Sequence, residues 1–211
     1  MKLYTYFRSS SSFRVRIALN LKGVAYESVF VHLVKGEQSS ESYKAKNPMG
    51  LVPALEVDGE VLSESVAIIE YLDEMHPAPA LLPEDAIARA HVRAMVNVIA
   101  CDIQPLNNLA ILKYLKDPLG KTQADVDQWY THWIERGFTA MEQMVSQHGG
   151  KYCFGDTVTL ADVFLVPQMW NGRRFNADMT AYPNLERVEK ALYELEAFQD
   201  ALPENQLDAA P

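Results

Sequence analysis

The first 33 residues constrain the fold most, because they contain two strand-like runs separated by a helix-like run. The pattern predicts a strand over residues 3–7, a helix over residues 13–21 and a second strand over residues 26–33. In the helical run, apolar residues recur four positions apart and lie on one face. Two strands joined through a helix pair in parallel, because a parallel connection needs a crossover of about a dozen residues or more.

A hairpin and a second helix follow. Asp58-Gly59 lies between two apolar runs, which favours a tight two-residue turn between strands. The flanking strands cover residues 54–57 and 60–62, and residues 66–75 have helical periodicity. A βαβ unit followed by ββα is the order of a thioredoxin-like domain. We therefore expect an α/β thioredoxin-like N-terminal domain over residues 1–80.

The pattern changes after a proline-rich linker at residues 76–83. Helical periodicity then dominates, with a break expected at Pro105 and a capping box formed by Thr159 and Asp162 before an apolar helix. We expect an all-α C-terminal domain over residues 86–211. Its last residues, 203–211, are expected to form a frayed tail.

Four consecutive serines, Ser9 to Ser12, lie between the first strand and the first helix. The first N–H groups of a helix have no internal partner, and the helix dipole favours negative charge there. A serine hydroxyl at this place can cap the helix or donate to a bound anion. Glu64-Ser65 forms a second candidate of the same kind, although each stretch is also typical of an ordinary helix start.

Composition excludes several classes of function. The formal net charge is −9, which disfavours nucleic-acid binding because such binding neutralises phosphates with Lys and Arg. No apolar run reaches the length of a membrane helix, and the N-terminus lacks a signal-peptide pattern, so we expect a cytoplasmic protein. Cys101 and Cys153 are expected to be reduced, largely buried thiols. The histidines show no metal-ligand spacing, and we infer no metal.

Residues 8–19, Arg-Ser-Ser-Ser-Ser-Phe-Arg-Val-Arg-Ile-Ala-Leu, resemble the S-S-C-x-W-R-V-R-I-A-L signature of zeta-class glutathione transferases. That class includes maleylacetoacetate isomerases and is close to the bacterial maleylpyruvate isomerases. Segments around Asn47-Pro48, Glu64-Ser65, residues 103–109, residues 154–156 and residues 174–183 are similar to the same family. The resemblance therefore covers essentially the whole chain.

The resemblance implies glutathione as cofactor. Ser9 matches the serine that faces the glutathione sulfur, and Ser10 and Ser11 are the second and third candidates for this catalytic role. Ser11 stands where the family signature often has cysteine. A protein thiol is therefore not an essential group here, and glutathione would supply the nucleophilic sulfur.

The resemblance also implies the remaining contacts to glutathione. The backbone of Val52, before a cis Pro53, would pair with the cysteinyl part, while Glu64 and Ser65 would hold the γ-glutamyl end. The other matching positions are Gln38 near the glycine end and, from the helical domain, Gln104, Asn108 and Leu109.

Arg8 and Arg174 match arginines that the family associates with the carboxylates of a small dicarboxylate substrate. Planar guanidinium groups suit carboxylates, and they would also stabilise negative charge that develops on the substrate. The pair Arg173-Arg174 could instead be a solvated helix end. With the resemblance, we favour a site role for Arg174 alone.

The resemblance implies a glutathione-dependent cis–trans isomerase that converts maleylacetoacetate to fumarylacetoacetate in tyrosine and phenylalanine catabolism. Gln104 and Leu109 favour this substrate over maleylpyruvate, because maleylpyruvate isomerases tend to carry more basic or imidazole side chains in that segment. The same motifs are also compatible with a transferase that conjugates α-halo acids, and a non-catalytic binding module is the interpretation from a different class. Family members are usually homodimers, and we expect the same here.

Overall fold

The computed structural model describes residues 1–209, which form two compact units. The first unit joins residues 1–80 to residues 193–209, and the second comprises residues 81–192. The first boundary lies within the predicted proline-rich linker. The C-terminal boundary differs from the prediction, because residues 193–209 pack with the α/β unit and not with the helical one.

The sheet of the first unit has four strands in the order β2-β1-β3-β4. These are β1 (Lys2–Thr5), β2 (Glu27–Phe30), β3 (Ala54–Val57) and β4 (Glu60–Ser63). Strand β1 pairs in parallel with β2 and antiparallel with β3, and β3 pairs antiparallel with β4. The predicted parallel unit and the hairpin are therefore confirmed. Asp58 and Gly59 form the turn with positive φ angles of 50° and 90°, which suits this residue pair.

Within residues 1–80, the first unit contains the helices α1 (Ser10–Leu21), α2 (Glu41–Lys44, a short helix) and α3 (Ser65–Met75). Helices α1 and α3 begin at the predicted serine-containing stretches. Helix α1 is buried on all sides from Ser12 to Leu19, including the two arginines Arg14 and Arg16. A helix of this kind lies inside a unit and not on its surface.

The second unit is entirely helical. It contains α4 (Ala86–Asn97), a π-helical turn (Val98–Ile103), α5 (Leu109–Lys116), α6 (Gln123–His148), α7 (Leu160–Arg174) and α8 (Pro183–Leu192). The chain leaves the helical conformation around Pro105, as predicted. No helix within residues 1–209 is long and apolar enough to span a membrane.

The capping box of α7 is confirmed. The Asp162 carboxylate accepts hydrogen bonds from the Thr159 N–H at 2.7 Å and the Thr159 hydroxyl at 3.0 Å. Its other oxygen accepts from the N–H of Cys153 at 2.8 Å. Burial raises the pKa of Asp162, while these hydrogen bonds oppose that shift. The buried start of α7 is thus fixed by one fully satisfied carboxylate.

The C-terminal segment is ordered, so the prediction of a frayed tail is wrong for residues 203–209. After α9 (Glu196–Gln199), it forms 3₁₀ turns at Pro203–Asn205 and Leu207–Ala209, and Phe198, Ala201 and Pro203 are buried. Residues 210–211 of the predicted tail lie outside the described residues.

Candidate functional site

Strand register brings four chain segments to one edge of the sheet. Tyr4 of β1 is opposite Ala54 at the start of β3, and Ala54 is opposite Ser63 at the end of β4. Strand β2 runs parallel to β1 and ends at the same edge. The residues after β1, after β2, before β3 and after β4 therefore meet there. These are the segments that contain Arg8 to Ser11, Gln38, Val52-Pro53 and Glu64-Ser65.

Ser9 is the N-cap of α1. Its main-chain φ and ψ are −73° and 115°, and its Oγ accepts the N–H of Ser12 at 3.2 Å. The Ser9 N–H in turn donates to the Tyr6 carbonyl at 3.0 Å, which closes the turn between β1 and α1. A hydroxyl that already accepts one bond keeps its own hydrogen for another partner. Capping the helix and donating to an anion are therefore compatible roles for Ser9.

The neighbours of Ser9 differ in accessibility. Ser11 is half-buried, Ser10 is almost fully buried, and Ser12 is completely buried with no hydrogen bond to its Oγ from any described residue. Arg8 is exposed, with its guanidinium carbon 4.8 Å from the centre of the Phe7 ring. Among the serine side chains, those of Ser9 and Ser11 are the most accessible to a ligand.

The peptide bond between Val52 and Pro53 is cis, as the resemblance implies. The preceding carbonyl, of Leu51, accepts both the Tyr43 hydroxyl at 2.7 Å and the Asn47 side-chain amide at 2.8 Å. Within residues 1–209, no loop or turn hydrogen bond engages the main chain of Val52. This segment is rigidly held on one side and has unused backbone groups on the other.

Glu64 has an unusual backbone conformation, with φ 67° and ψ 120°. Residues other than glycine rarely adopt a positive φ, and residues with such a strained backbone cluster at functional sites. The Glu64 side chain is exposed and makes no capping bond to α3. The next residue, Ser65, is buried, and its Oγ accepts from Arg14 Nη1 at 3.3 Å. Arg14 thereby joins the starts of α1 and α3.

Gln38 lies in a short 3₁₀ turn, Glu37–Ser39. Its side-chain Oε1 is buried and accepts no hydrogen bond from any described residue. A buried amide oxygen without a partner is costly, so its presence favours a ligand that supplies a donor. Its backbone carbonyl approaches Gly50, where an added Cβ would lie 2.9 Å from the oxygen.

In the second unit, Gln104, Asn108 and Leu109 follow the π-helical turn. The Gln104 N–H donates to the Ile99 carbonyl, and Asn108 caps α5 by accepting the N–H of Ala110 at 2.9 Å. Gln104 and Asn108 are partly accessible, and Leu109 is 39% exposed.

Helix α6 fixes the segment that carries these three residues. The Asn107 amide donates to the Tyr130 carbonyl at 3.0 Å, and the Trp129 indole donates to the Leu106 carbonyl at 2.9 Å. Both anchors lie between Gln104 and Asn108 in the chain. The position of the segment therefore follows from the position of α6.

Arg174 is the last residue of α7. Its guanidinium carbon lies 5.2 Å from the centre of the Phe175 ring, and Phe175 stacks on Tyr130 at 3.6 Å between centroids. Burial raises the pKa of Tyr130 well above its usual value, and the positive charge of Arg174 opposes that shift. Tyr130 therefore anchors both the segment that carries Gln104 and the end of α7 that carries Arg174.

Sequence reasoning missed several residues that support the site. Arg14 and Arg16 belong to the signature at the start of the chain, but the signature alone predicts no role for either. Their position among apolar neighbours on a short helix is the one signal that indicates burial. Tyr130 has no such signal. The expectation of two buried thiols is correct for Cys153 and wrong for Cys101, which is exposed.

Comparison with known proteins decides the family. Residues 1–74 match "Glutathione S-transferase, N-terminal domain", and residues 106–200 match "Glutathione S-transferase, C-terminal domain". A solved holo structure of a maleyl pyruvate isomerase, described as a bacterial zeta-class glutathione-S-transferase, is 50% identical with a TM-score of 0.97. Each chain covers 100% of the other. The chain belongs to the glutathione S-transferase family.

Two further relatives of this glutathione S-transferase are named as maleylacetoacetate isomerases. A probable maleylacetoacetate isomerase of Vibrio cholerae is 49% identical over 98% of this chain and 97% of the relative. The solved maleylacetoacetate isomerase of Methylobacterium extorquens AM1, with bound malonate and GSH, is 37% identical. The structural match covers 100% of each chain, with a TM-score of 0.96.

Gly137 of α6 sets the distance to the π-helical turn, since an added Cβ would lie 2.2 Å from Ile103 Cδ1 in a fully buried contact. We expect Gly137→Ala to lower the free energy of unfolding by about 1–3 kcal/mol, because tightly packed interiors do not accept an extra methyl group. Urea unfolding measures this. Gly172→Ala is the matched control, with a smaller expected loss, because its added Cβ meets the flexible end of Met179.

The double variant Gly137→Ala/Ile103→Ala removes the clashing atoms. It should lose less stability than the sum of the two single losses. Additive losses would contradict the close approach of α6 to the π-helical turn.

The backbone of Glu64 gives a second prediction. We expect Glu64→Gly to be more stable than Glu64→Ala by about 1–2 kcal/mol, because glycine adopts positive φ without a steric cost. Thermal or urea unfolding measures the difference. The control is Ala67→Gly, at an exposed position inside α3, which should destabilise by about 1 kcal/mol. Equal stability of the two Glu64 variants would argue against strain at this residue.

Proposed function

We propose that this protein is a glutathione-dependent cis–trans isomerase of maleyl diketo acids, with maleylacetoacetate as its main substrate. The observation that carries the proposal is the hydrogen bonding of the Ser9 hydroxyl. Its hydroxyl caps α1 and keeps its hydrogen for an anion at the sheet edge where the other predicted site segments meet. The relatives named as isomerases, which match the chain over nearly its full length, support the same activity.

The first unit fits glutathione. Val52 offers an unused main-chain edge to an extended peptide, and the buried Gln38 Oε1 needs a hydrogen-bond donor. The exposed carboxylate of Glu64 suits an ammonium group, while Ser65 and the N-terminus of α3 suit a carboxylate. These groups match the two ends and the backbone of a γ-glutamyl tripeptide. Gln104, Asn108 and Leu109 are proposed as the further contacts from the second unit.

When bound, glutathione supplies a thiolate that adds reversibly to a conjugated double bond, so that the bond can rotate. The role of Ser9 is to keep the sulfur ionised at neutral pH. An ordinary thiol has a pKa of about 8.5 and is only a few per cent ionised there. One hydrogen bond to a charged group contributes about 1.5–3 kcal/mol, enough to lower that pKa by roughly one to two units.

Arg8 and Arg174 are proposed to bind the carboxylates of the substrate and to stabilise negative charge that develops beside the double bond. Both side chains lie against aromatic rings, Arg8 on Phe7 and Arg174 on Phe175. Such stacking leaves the polar edge of a guanidinium available for carboxylates. The malonate bound to a solved relative is a dicarboxylate, which supports a ligand of this class.

Maleylpyruvate is the second candidate substrate, since the relative with a TM-score of 0.97 is named for it. The decisive experiment follows the absorbance of maleylacetoacetate and of maleylpyruvate with and without glutathione. We expect turnover only with glutathione, and a higher kcat/KM for maleylacetoacetate. A higher value for maleylpyruvate would reverse the order of the two substrates. Turnover of neither would favour a non-catalytic binding module.

Ser9→Ala tests the assignment within the serine stretch. We expect it to raise the pKa of the bound glutathione thiol by about one to two units and to lower kcat by roughly 10–100-fold at neutral pH. The ultraviolet absorbance of the thiolate against pH measures the first effect, and the isomerase assay measures the second. Ser11→Ala is the matched control, with a smaller expected change. Larger effects at Ser11 than at Ser9 would reassign the role.

A homodimer in the cytoplasm completes the proposal. The family resemblance supports the dimer. Met49 supports it too, because this large apolar side chain is 71% exposed next to the Val52 segment. We expect light scattering to give twice the mass of one chain. We also expect Met49→Glu to shift the protein towards monomer, while the substitution Val34→Glu, at another exposed apolar residue, serves as the comparison. A wild-type protein with the mass of one chain would refute the dimer.

A further inference from the structure

The C-terminal segment is fixed to α1 by polar contacts. Arg16 Nε donates to the Ala201 carbonyl at 3.1 Å, and the Asn20 amide donates to the Ala197 carbonyl at 3.0 Å. These bonds, with the buried Phe198, dock residues 197–201 along the helix that begins just after Ser9. The segment is thus an integral part of the unit that carries the serine stretch.

The last turn of this segment reaches the residues immediately before Ser9. The Asp208 carboxylate accepts the N–H of Phe7 at 2.9 Å, across 201 positions of sequence. On the other side of the same residue, Arg16 Nη2 donates to the Phe7 carbonyl at 3.2 Å. Both main-chain groups of Phe7 are therefore held by charged side chains, which make stronger hydrogen bonds than neutral ones.

Phe7 lies in the turn that orients Ser9. The turn runs from Tyr6 to Ser9 and is closed by the bond from the Ser9 N–H to the Tyr6 carbonyl. Rotation of either peptide group of Phe7 would move the N-cap, and with it the direction of the Ser9 hydroxyl. A displacement of about 1 Å at a reacting group is enough to reduce catalysis strongly.

We propose that Asp208 is a positioning residue for catalysis, which acts on Ser9 through the N–H of Phe7. This inference rests on the proposed function, because it assigns Asp208 to the alignment of the hydroxyl that holds the glutathione thiolate. The C-terminal segment then supports the site through Phe7: its final turn, with Arg16, fixes the residue that precedes Arg8 and Ser9.

Electrostatics and positioning predict opposite signs for the loss of Asp208. Removal of a negative charge near a thiolate would stabilise the thiolate and lower the thiol pKa. Removal of a positioning contact would misalign the Ser9 hydroxyl and raise the thiol pKa. The direction of the change in the thiol pKa therefore distinguishes the two effects. A loss of stability alone would not change the pKa of the bound thiol.

The experiment compares Asp208→Ala and Asp208→Asn with the wild-type protein. In Asp208→Ala we expect the pKa of the bound glutathione thiol to rise by about one unit and kcat at neutral pH to fall roughly tenfold, with KM for glutathione changed less. Asp208→Asn keeps an oxygen that accepts the Phe7 N–H, and should restore most of kcat. Asn205→Ala is the matched control, because it removes the Asn205–Gln199 bond of the same segment without contact to Phe7.

A thiol pKa in Asp208→Ala that stays unchanged or falls would overturn the proposal. If that variant does not fold, Asp208→Glu keeps the charge and displaces the carboxylate, and it should also raise the thiol pKa; no change there would equally overturn the proposal. The wild-type protein separates this inference from the proposed function. If the wild-type protein lowers the thiol pKa but turns over neither maleyl acid, only the isomerase activity is refuted. If the bound glutathione thiol keeps its ordinary pKa in the wild-type protein, both the proposed function and the role of Asp208 are refuted.

Discussion

The first unit depends on the buried cation of Arg16. The guanidinium of Arg16 has no exposed surface, and burial lowers its pKa to about 10. It donates to Thr5 at the end of β1, to the Phe7 carbonyl and to the Ala201 carbonyl. A buried charge that loses its hydrogen-bond partners costs several kcal/mol. The hydrogen bonds of Arg16 therefore hold three segments together: the end of β1, the turn before Ser9 and the C-terminal segment.

Short-range patterns predicted most of the fold because their causes are local. The turn at Asp58-Gly59 depends on two residues that accept positive φ, and the capping box depends on Thr159 and Asp162, three positions apart. Element ends were less accurate. The strand predicted over residues 26–33 spans only Glu27–Phe30, because sheet pairing and not apolar content decides where a strand ends.

The parts that sequence did not predict depend on contacts between distant positions. The sequence around Asp208 contains no signal that its carboxylate contacts Phe7. Without such long-range contacts, the sequence assigned residues 193–209 to the helical unit, whereas they pack with the α/β unit. The exposure of Cys101 and the close approach of Ile103 to Gly137 are equally non-local. The convergence of the site segments in the first unit follows from the predicted βαβ and hairpin units together with the antiparallel pairing of β1 and β3. The anchoring by Tyr130 in the second unit follows from helix packing, which no periodicity encodes.

The shared sheet edge has a thermodynamic consequence. Ser9, Gln38, Val52 and Ser65 come from four segments, and they meet only when all four strands are paired in register. A ligand that contacts all of them binds the complete sheet and no partly paired form, so its binding free energy adds to the cooperativity of folding. In a unit arranged in this way, ligand binding and sheet formation depend on the same strand pairing.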